Sequence, residues 1–260
     1  MFTLKPREVA PLKYSVFPLI TISDFAHIHC SPTLLSLTVS HNPSSPSPRF
    51  VAVLQIQDPF IAVNSSNFNL PHRTSTISTK SLFTALYDVA AASGSGDGDL
   101  YLTFVLPELD SDPRLVFTTG GGDIRSLSPL MVLPPQIGQI NYEMFVAIHT
   151  MEFRKIVRKF SAYNTIWVFV STSQVKFHAT TRGIPQEIAL STERRECVVG
   201  GIQEEMVYPI KLNPVNFFLH SSSMTSFVWL FRSTDLCPII QFLKGEWANI
   251  LTYYPRTGLC

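Results

Sequence analysis

The segment Glu152-Phe153-Arg154-Lys155-Ile156-Val157-Arg158-Lys159-Phe160-Ser161 carries two signals at once. Phe153, Ile156, Val157 and Phe160 fall at i, i+3, i+4 and i+7, which is one apolar stripe of a 3.6-residue helix. The spacing predicts a helix over 151–163. Arg154/Arg158 and Lys155/Lys159 stand four apart, so they form neighbouring basic rows on its solvent side. Two strand-like runs follow, Ile166-Trp167-Val168-Phe169-Val170 and Val175-Lys176-Phe177-His178-Ala179. Thr172-Ser173-Gln174 between them reads as a hairpin turn. Val175, Phe177 and Ala179 alternate with polar residues, the period of a half-buried strand.

The same pattern recurs outward from this segment. A short helix is expected over 12–20, weakened by Pro18. Another is expected over 81–93, where Leu82, Leu86 and Val89 share a face. A fourth is expected over 214–222, with proline in its first turn. The four begin near residues 12, 81, 151 and 214, at intervals of roughly 63 to 70 residues. Strand-like runs fill the intervals, at 50–56, 100–106, 227–232, 239–243 and 250–254. One helix plus several strands, four times over, points to an internally duplicated α+β fold of antiparallel sheets with helices on one face. Asn42 to Pro48 is a Pro/Ser-rich loop. Thr118 to Pro135 is long for a loop inside a compact domain, so it reads as a connector or functional loop.

Composition narrows the function. Only 15% of residues are charged, and 20 Lys+Arg against 19 Asp+Glu leave a net charge of +1. That balance argues against a basic nucleic-acid coat and against an acidic disordered tail. Yet only six of the 20 basic residues precede position 100, while four cluster in the 151–163 helix. An apolar share of 45%, with 19 Phe, supplies a core. No apolar window is long enough to span a bilayer. Val16 to Ile22 is short and lacks a cleavage site, so no signal peptide is expected. Cys30, Cys197, Cys237 and Cys260 form no CxxC pair, which suggests neither zinc nor a disulfide framework and favours a reducing compartment. Enzyme signatures are missing: there is no G-x-S-x-G elbow, and Gly120-Gly121-Gly122-Asp123 lacks the Lys-Ser/Thr of a phosphate loop. His27 and His29 share a strand face without a third ligand, and Gly94 to Asp99 lacks the closing Glu of a calcium loop. No metal, no cofactor and no catalytic residue is expected.

The 152–161 helix with its hairpin resembles the start of the second domain of the sliding clamp family, proliferating cell nuclear antigen, where an EF-containing helix precedes a V-K-F-S/H-A-like strand. Asp235-Leu236-Cys237-Pro238-Ile239-Ile240-Gln241-Phe242 resembles that family's D-x-P-L strand with one extra residue. Thr252-Tyr253-Tyr254-Pro255-Arg256 resembles its closing Y-Y-x-A-P-K, about two residues shorter. Tyr142 and Met144 to Thr150 resemble the strand leaving its connector.

The resemblance implies a clamp fold of two similar domains, 1–118 and 142–260, joined by a connector over 119–141. Each would carry antiparallel sheets outside and two short helices on the inner face. It implies a nuclear, non-enzymatic homotrimer around duplex DNA, set there by a clamp loader, that docks DNA polymerase and repair factors through short peptides. Lys13, Lys80, Arg154, Lys155, Arg158 and Lys159 would touch DNA. Leu130, Met131, Val132, Pro238, Tyr253, Tyr254 and Pro255 would hold partner peptides. Leu115-Val116-Phe117 and Glu187-Ile188-Ala189-Leu190 would be the two paired edges between subunits. Read from the residues alone, the basic rows are a solvated helix face before they are an interface, and Leu130 to Pro135 is a buried crossing strand before it is a docking groove; the resemblance brings the interface reading of the basic rows level. The scarcity of Lys and Arg on the other three helices carries the alternative: a clamp-like protein-interaction module, or one subunit of a heterotrimeric checkpoint clamp.

Overall fold

The computed structural model describes residues 2–4, 6–41, 50–63, 73–92, 101–105, 114–118, 123–126, 138–181, 183–245 and 248–255. Two compact units emerge, one of Met1–Val39 with Val53–Pro134, the other of Ser40–Ala52 with Pro135–Cys260. The first contains β1 (Phe2–Leu4), α1 (Pro6–Ile20), β2 (Phe25–Ser31), β3 (Leu34–His41), β4 (Phe50–Gln57), β5 (Phe60–Val63), β6 (Arg73–Ser78), α2 (Thr79–Ala92), β7 (Tyr101–Val105), β8 (Arg114–Thr118) and β9 (Asp123–Ser126). The last residues of β3 and the first of β4 belong to the second unit. Strand order is β5-β1-β7-β8-β9 in one sheet and β4-β3-β2-β6 in the other. Leu12, Val16 and Leu19 of α1 are fully buried, as are Leu82, Ala85 and Leu86 of α2. These stripes pack the two helices together.

The second unit follows with β10 (Ile140–His149), α3 (Thr150–Lys159), β11 (Ile166–Val170), β12 (Gln174–Thr181), β13 (Ile184–Ser191), β14 (Cys197–Gly200), β15 (Met206–Ile210), α4 (Val215–Ser222), β16 (Phe227–Ser233), β17 (Pro238–Lys244) and β18 (Ala248–Tyr253). Its strands run β14-β10-β16-β17-β18 and β13-β12-β11-β15. The pairings are antiparallel, the sheet type that commonly buries one face of its strands and leaves the other to solvent. α3 and α4 pack on each other. Phe153, Ile156 and Val157 are fully buried under α3, and Phe153 meets Phe242 of β17 edge-on at 5.9 Å.

Two expectations need correcting. The first helix starts at Pro6 and runs through both Pro11 and Pro18. A proline at the first helical position costs little, because its missing N–H would be unpaired anyway. Further along, Ser15 Oγ donates to the Pro11 carbonyl at 3.0 Å and Thr21 Oγ1 to the Pro18 carbonyl at 2.7 Å. The apolar stripe of α1 outweighs the proline penalty.

The second correction concerns a sheet edge. Leu115, Val116 and Phe117 lie on β8, which is paired on both sides, with β7 and with β9. Leu115 faces Arg125, Val116 faces Ile124 and Phe117 faces Asp123. A strand paired on both sides has no free ladder to offer another chain. The edge on that side is β9. Glu187, Ile188, Ala189 and Leu190 do lie on an edge strand, β13.

Candidate nucleic-acid interface

α3 is built to present charge. Its apolar stripe is buried, which turns Arg154, Lys155, Arg158 and Lys159 away from the core; the last three are exposed and Arg154 is half-buried. Glu152 sits in the first turn and Arg158 and Lys159 in the last, the arrangement the helix dipole favours. His149 Nδ1 accepts the Met151 N–H at 3.3 Å and caps the start. Lys155 pairs with Glu152 at 2.7 Å, one turn earlier. Lys159 Nζ donates to the Glu187 carbonyl at 3.0 Å, which ties the end of α3 to the edge strand β13. Arg158 therefore carries the most available charge, with Arg154 and Lys155 beside it. Such a row of flexible cations on one rigid helix suits phosphate contact without base readout.

The first unit's helices differ. Lys80, at the start of α2, pairs with Asp24 at 2.7 Å. Lys13 on α1 lies over the rings of Tyr14 and Tyr87, 4.7 and 5.0 Å from their centroids. Tyr14, Phe17 and Tyr87 are exposed, and Phe17 stacks obliquely on Phe83. This face is aromatic where α3 is basic. Neither Tyr14 nor Tyr87 stood out in the sequence, because a surface aromatic has no distinguishing spacing.

Among the peptide-groove residues, Leu130, Met131 and Val132 lie outside the described residues. Pro238, Tyr253 and Tyr254 are buried and Pro255 is half-buried. Tyr253 belongs to a cluster with Phe231, Cys237, Ile239 and Leu251, against which Ile140, Phe145 and Trp229 pack. Exposed Tyr142 meets Phe231 edge-on at 5.3 Å. Tyr254 is placed otherwise: its ring meets Phe50, and its hydroxyl donates to the Lys211 carbonyl at 2.6 Å.

A hydrogen-bonded network holds the Asp235 turn beside Tyr253. Tyr253 donates to Asp235 Oδ2 at 2.5 Å, and Ser233 Oγ donates to Asp235 Oδ1. Cys237 N–H in turn donates to Ser233 Oγ at 2.9 Å. Burial alone would raise the Asp235 carboxyl, but hydrogen bonds from Ser233, Tyr253 and Cys237 outweigh it and hold it below the ordinary 3.8. A depressed folded-state pKa stabilises the fold above 3.8, and the gain is lost as pH falls below it. Asp235→Asn is expected to flatten the acid limb of a denaturation profile between about pH 4 and 2. An unchanged acid limb in circular dichroism would show that the network does not stabilise the turn.

Among the described residues, no group of three or more His, Cys, Asp or Glu could hold a metal ion, and no helix is long and apolar enough to cross a membrane. No family model and no curated protein matches the sequence. Among solved structures, the crystal structure of Proliferating Cellular Nuclear Antigen from Entamoeba histolytica is similar over 97% of this chain and 96% of that chain, with a TM-score of 0.68 and 18% sequence identity. The chain therefore has the fold of that antigen, the α+β clamp fold that the 152–161 helix and its hairpin imply.

Proposed function

We propose that this chain is a non-enzymatic sliding clamp, a ring-forming tether that encircles duplex DNA and docks replication and repair proteins. The observation that carries the reading is α3: on a clamp fold, it aligns Arg154, Lys155, Arg158 and Lys159 with buried apolar residues behind them. Enclosure makes high affinity unnecessary, so a few salt-sensitive phosphate contacts suffice. Lys13 and Lys80 would add to them only by leaving Tyr14, Tyr87 and Asp24. In this proposal the domain bounds 1–118, 119–141 and 142–260 shift, because β9 (Asp123–Ser126) pairs with β8 and β10 begins at Ile140, so both strands belong to the domains and not to the connector.

Ring closure would pair two sheet edges of neighbouring copies. β13, with Glu187 to Leu190, supplies one; β9, rather than Leu115 to Phe117, supplies the other. Closing such edges into a ring removes an aggregation hazard. Leu130, Met131, Val132, Pro238, Tyr253, Tyr254 and Pro255 would receive partner peptides. A clamp loader and a nuclear location belong to the same reading. The test is topological: protein loaded on a circular plasmid should be retained, and should run off once the plasmid is linearised. Equal retention on both forms would refute encirclement.

The exposed aromatic face of α1 and α2 favours a second reading, in which the chain docks proteins only or joins a heterotrimeric ring. Native mass separates the two. A homotrimer at micromolar concentration is expected for the self-closing clamp. A monomer that assembles only with other clamp-fold chains supports the heterotrimer, and a monomer under every condition supports the docking module.

A further inference from the structure

The chain has three adjacent basic pairs, Arg154-Lys155, Arg158-Lys159 and Arg194-Arg195. The residues two places beyond them are Val157, Ser161 and Cys197, so only the second pair leads to a hydroxyl. Arg158-Lys159-Phe160-Ser161 therefore sets cations three and two residues before a serine. Basophilic serine kinases select substrates by such charge patterns, because acidic side chains in their peptide groove pair with the upstream Lys and Arg.

The fold presents the motif to solvent. α3 ends at Lys159, and Phe160 caps it with φ −98° and ψ 13°. Phe160 is buried and meets Tyr163 edge-on at 5.7 Å, which anchors the chain as it leaves the helix. Arg158, Lys159 and Ser161 are all exposed. Arg158 and Ser161 stand three apart, so they share one side of the last turn. The Ser161 N–H reaches the Arg158 carbonyl only at 3.5 Å, longer than an ordinary backbone hydrogen bond. A helix end held this loosely opens more readily than its middle. A kinase groove can therefore take the motif while Phe153, Ile156 and Val157 stay packed in the core.

We propose that Ser161 is a phosphorylation site for a basophilic serine kinase, and that its phosphate switches off the basic face of α3. The switching half rests on the clamp reading. Ser161 Oγ attacks the γ-phosphorus of ATP, and an Oγ–P bond forms as the bond to the β,γ-bridging oxygen breaks. ADP leaves with that electron pair, and the hydroxyl proton passes to the kinase's catalytic carboxylate. At pH 7 the phosphoserine carries a charge of about −1.5 to −2. That cancels about half of the positive charge of Arg154, Lys155, Arg158 and Lys159, and its oxygens compete with DNA for Arg158. The phosphate also stands at the negative end of the helix dipole, so it does not brace α3.

The test treats the folded full chain with the catalytic subunit of cyclic-AMP-dependent protein kinase and Mg-ATP, and locates the product by tandem mass spectrometry. One phosphoryl group at Ser161 is expected, and Arg158→Gln should slow its incorporation about tenfold or more. The phosphorylated chain should bind a linear duplex oligonucleotide about tenfold more weakly at low salt, with the slope of log affinity against log salt reduced by about two. No incorporation at Ser161 in the folded chain, or incorporation that Arg158→Gln leaves at the wild-type rate, would overturn the site. Unchanged duplex binding by the fully phosphorylated chain would overturn the switch. Failure of the unmodified chain to bind the duplex would remove the clamp reading and the switch together, while labelling of Ser161 still decides the site.

Discussion

Reversing two charges on α3, Lys155→Glu with Arg158→Glu, is expected to abolish stimulation of a DNA polymerase on a primed circular template while leaving the fold intact. Both side chains are exposed, so the stability cost is small. The Lys155–Glu152 pair is a surface contact. Such pairs contribute about 0.3–0.5 kcal/mol on a helix. Placing a negative charge in the last helical turn costs about a further 0.3–1 kcal/mol. At roughly 2–4 °C per kcal/mol for a chain of this size, the melting temperature should fall by no more than about 6 °C. The functional effect is far larger, because the two reversals turn an attractive helix face into a repulsive one in every subunit. The neutral pair Lys155→Gln/Arg158→Gln should be intermediate, lowering the slope of log affinity against log salt by about two per subunit in contact. Full stimulation by the reversed variant would remove α3 from the DNA interface.

What the sequence disclosed was what local periodicity encodes. α3 and the β11–β12 hairpin were readable because a helix stripe and a strand alternation need only neighbours three, four or two residues away. Resemblance then turned the basic rows on α3 from a solvated face into an interface hypothesis. The β8 edge was misread for a physical reason: Asp123-Ile124-Arg125-Ser126 is four residues with one strong apolar side chain, too short to show a period. Its strand character comes from pairing with β8. Pro11 and Pro18 hid the true length of α1, since a proline penalty is local and the buried stripe that overrides it is tertiary.

Phe50 presents the sharpest case of this non-local logic, and Phe50→Ala is expected to be among the most destabilising single changes in the chain. Phe50 reads in the sequence as the first residue of an ordinary strand. In the fold it belongs to the second unit, far along the chain from most of its neighbours. It is fully buried. His41 stacks on it at 5.0 Å, and Phe217, Phe218 and Tyr254 each meet it at 5.8 Å. Truncating a buried Phe to Ala removes its transfer free energy and leaves a cavity, together about 3–5 kcal/mol. Part of this is aromatic pairing, about 0.5–1.5 kcal/mol for each pair beyond area burial. Against a typical net stability of roughly 5–15 kcal/mol, that loss is severe. The melting temperature should drop by about 6–20 °C. Phe50→Leu keeps most of the volume and should cost clearly less, because the cavity term shrinks. Phe17, 38% exposed, provides the comparison: Phe17→Ala opens a gap that water can reach and should shift the midpoint by clearly less. A scanning-calorimetry shift for Phe50→Ala no larger than that of Phe17→Ala would mean that the ring cluster does not anchor residues 40–52 to the second unit.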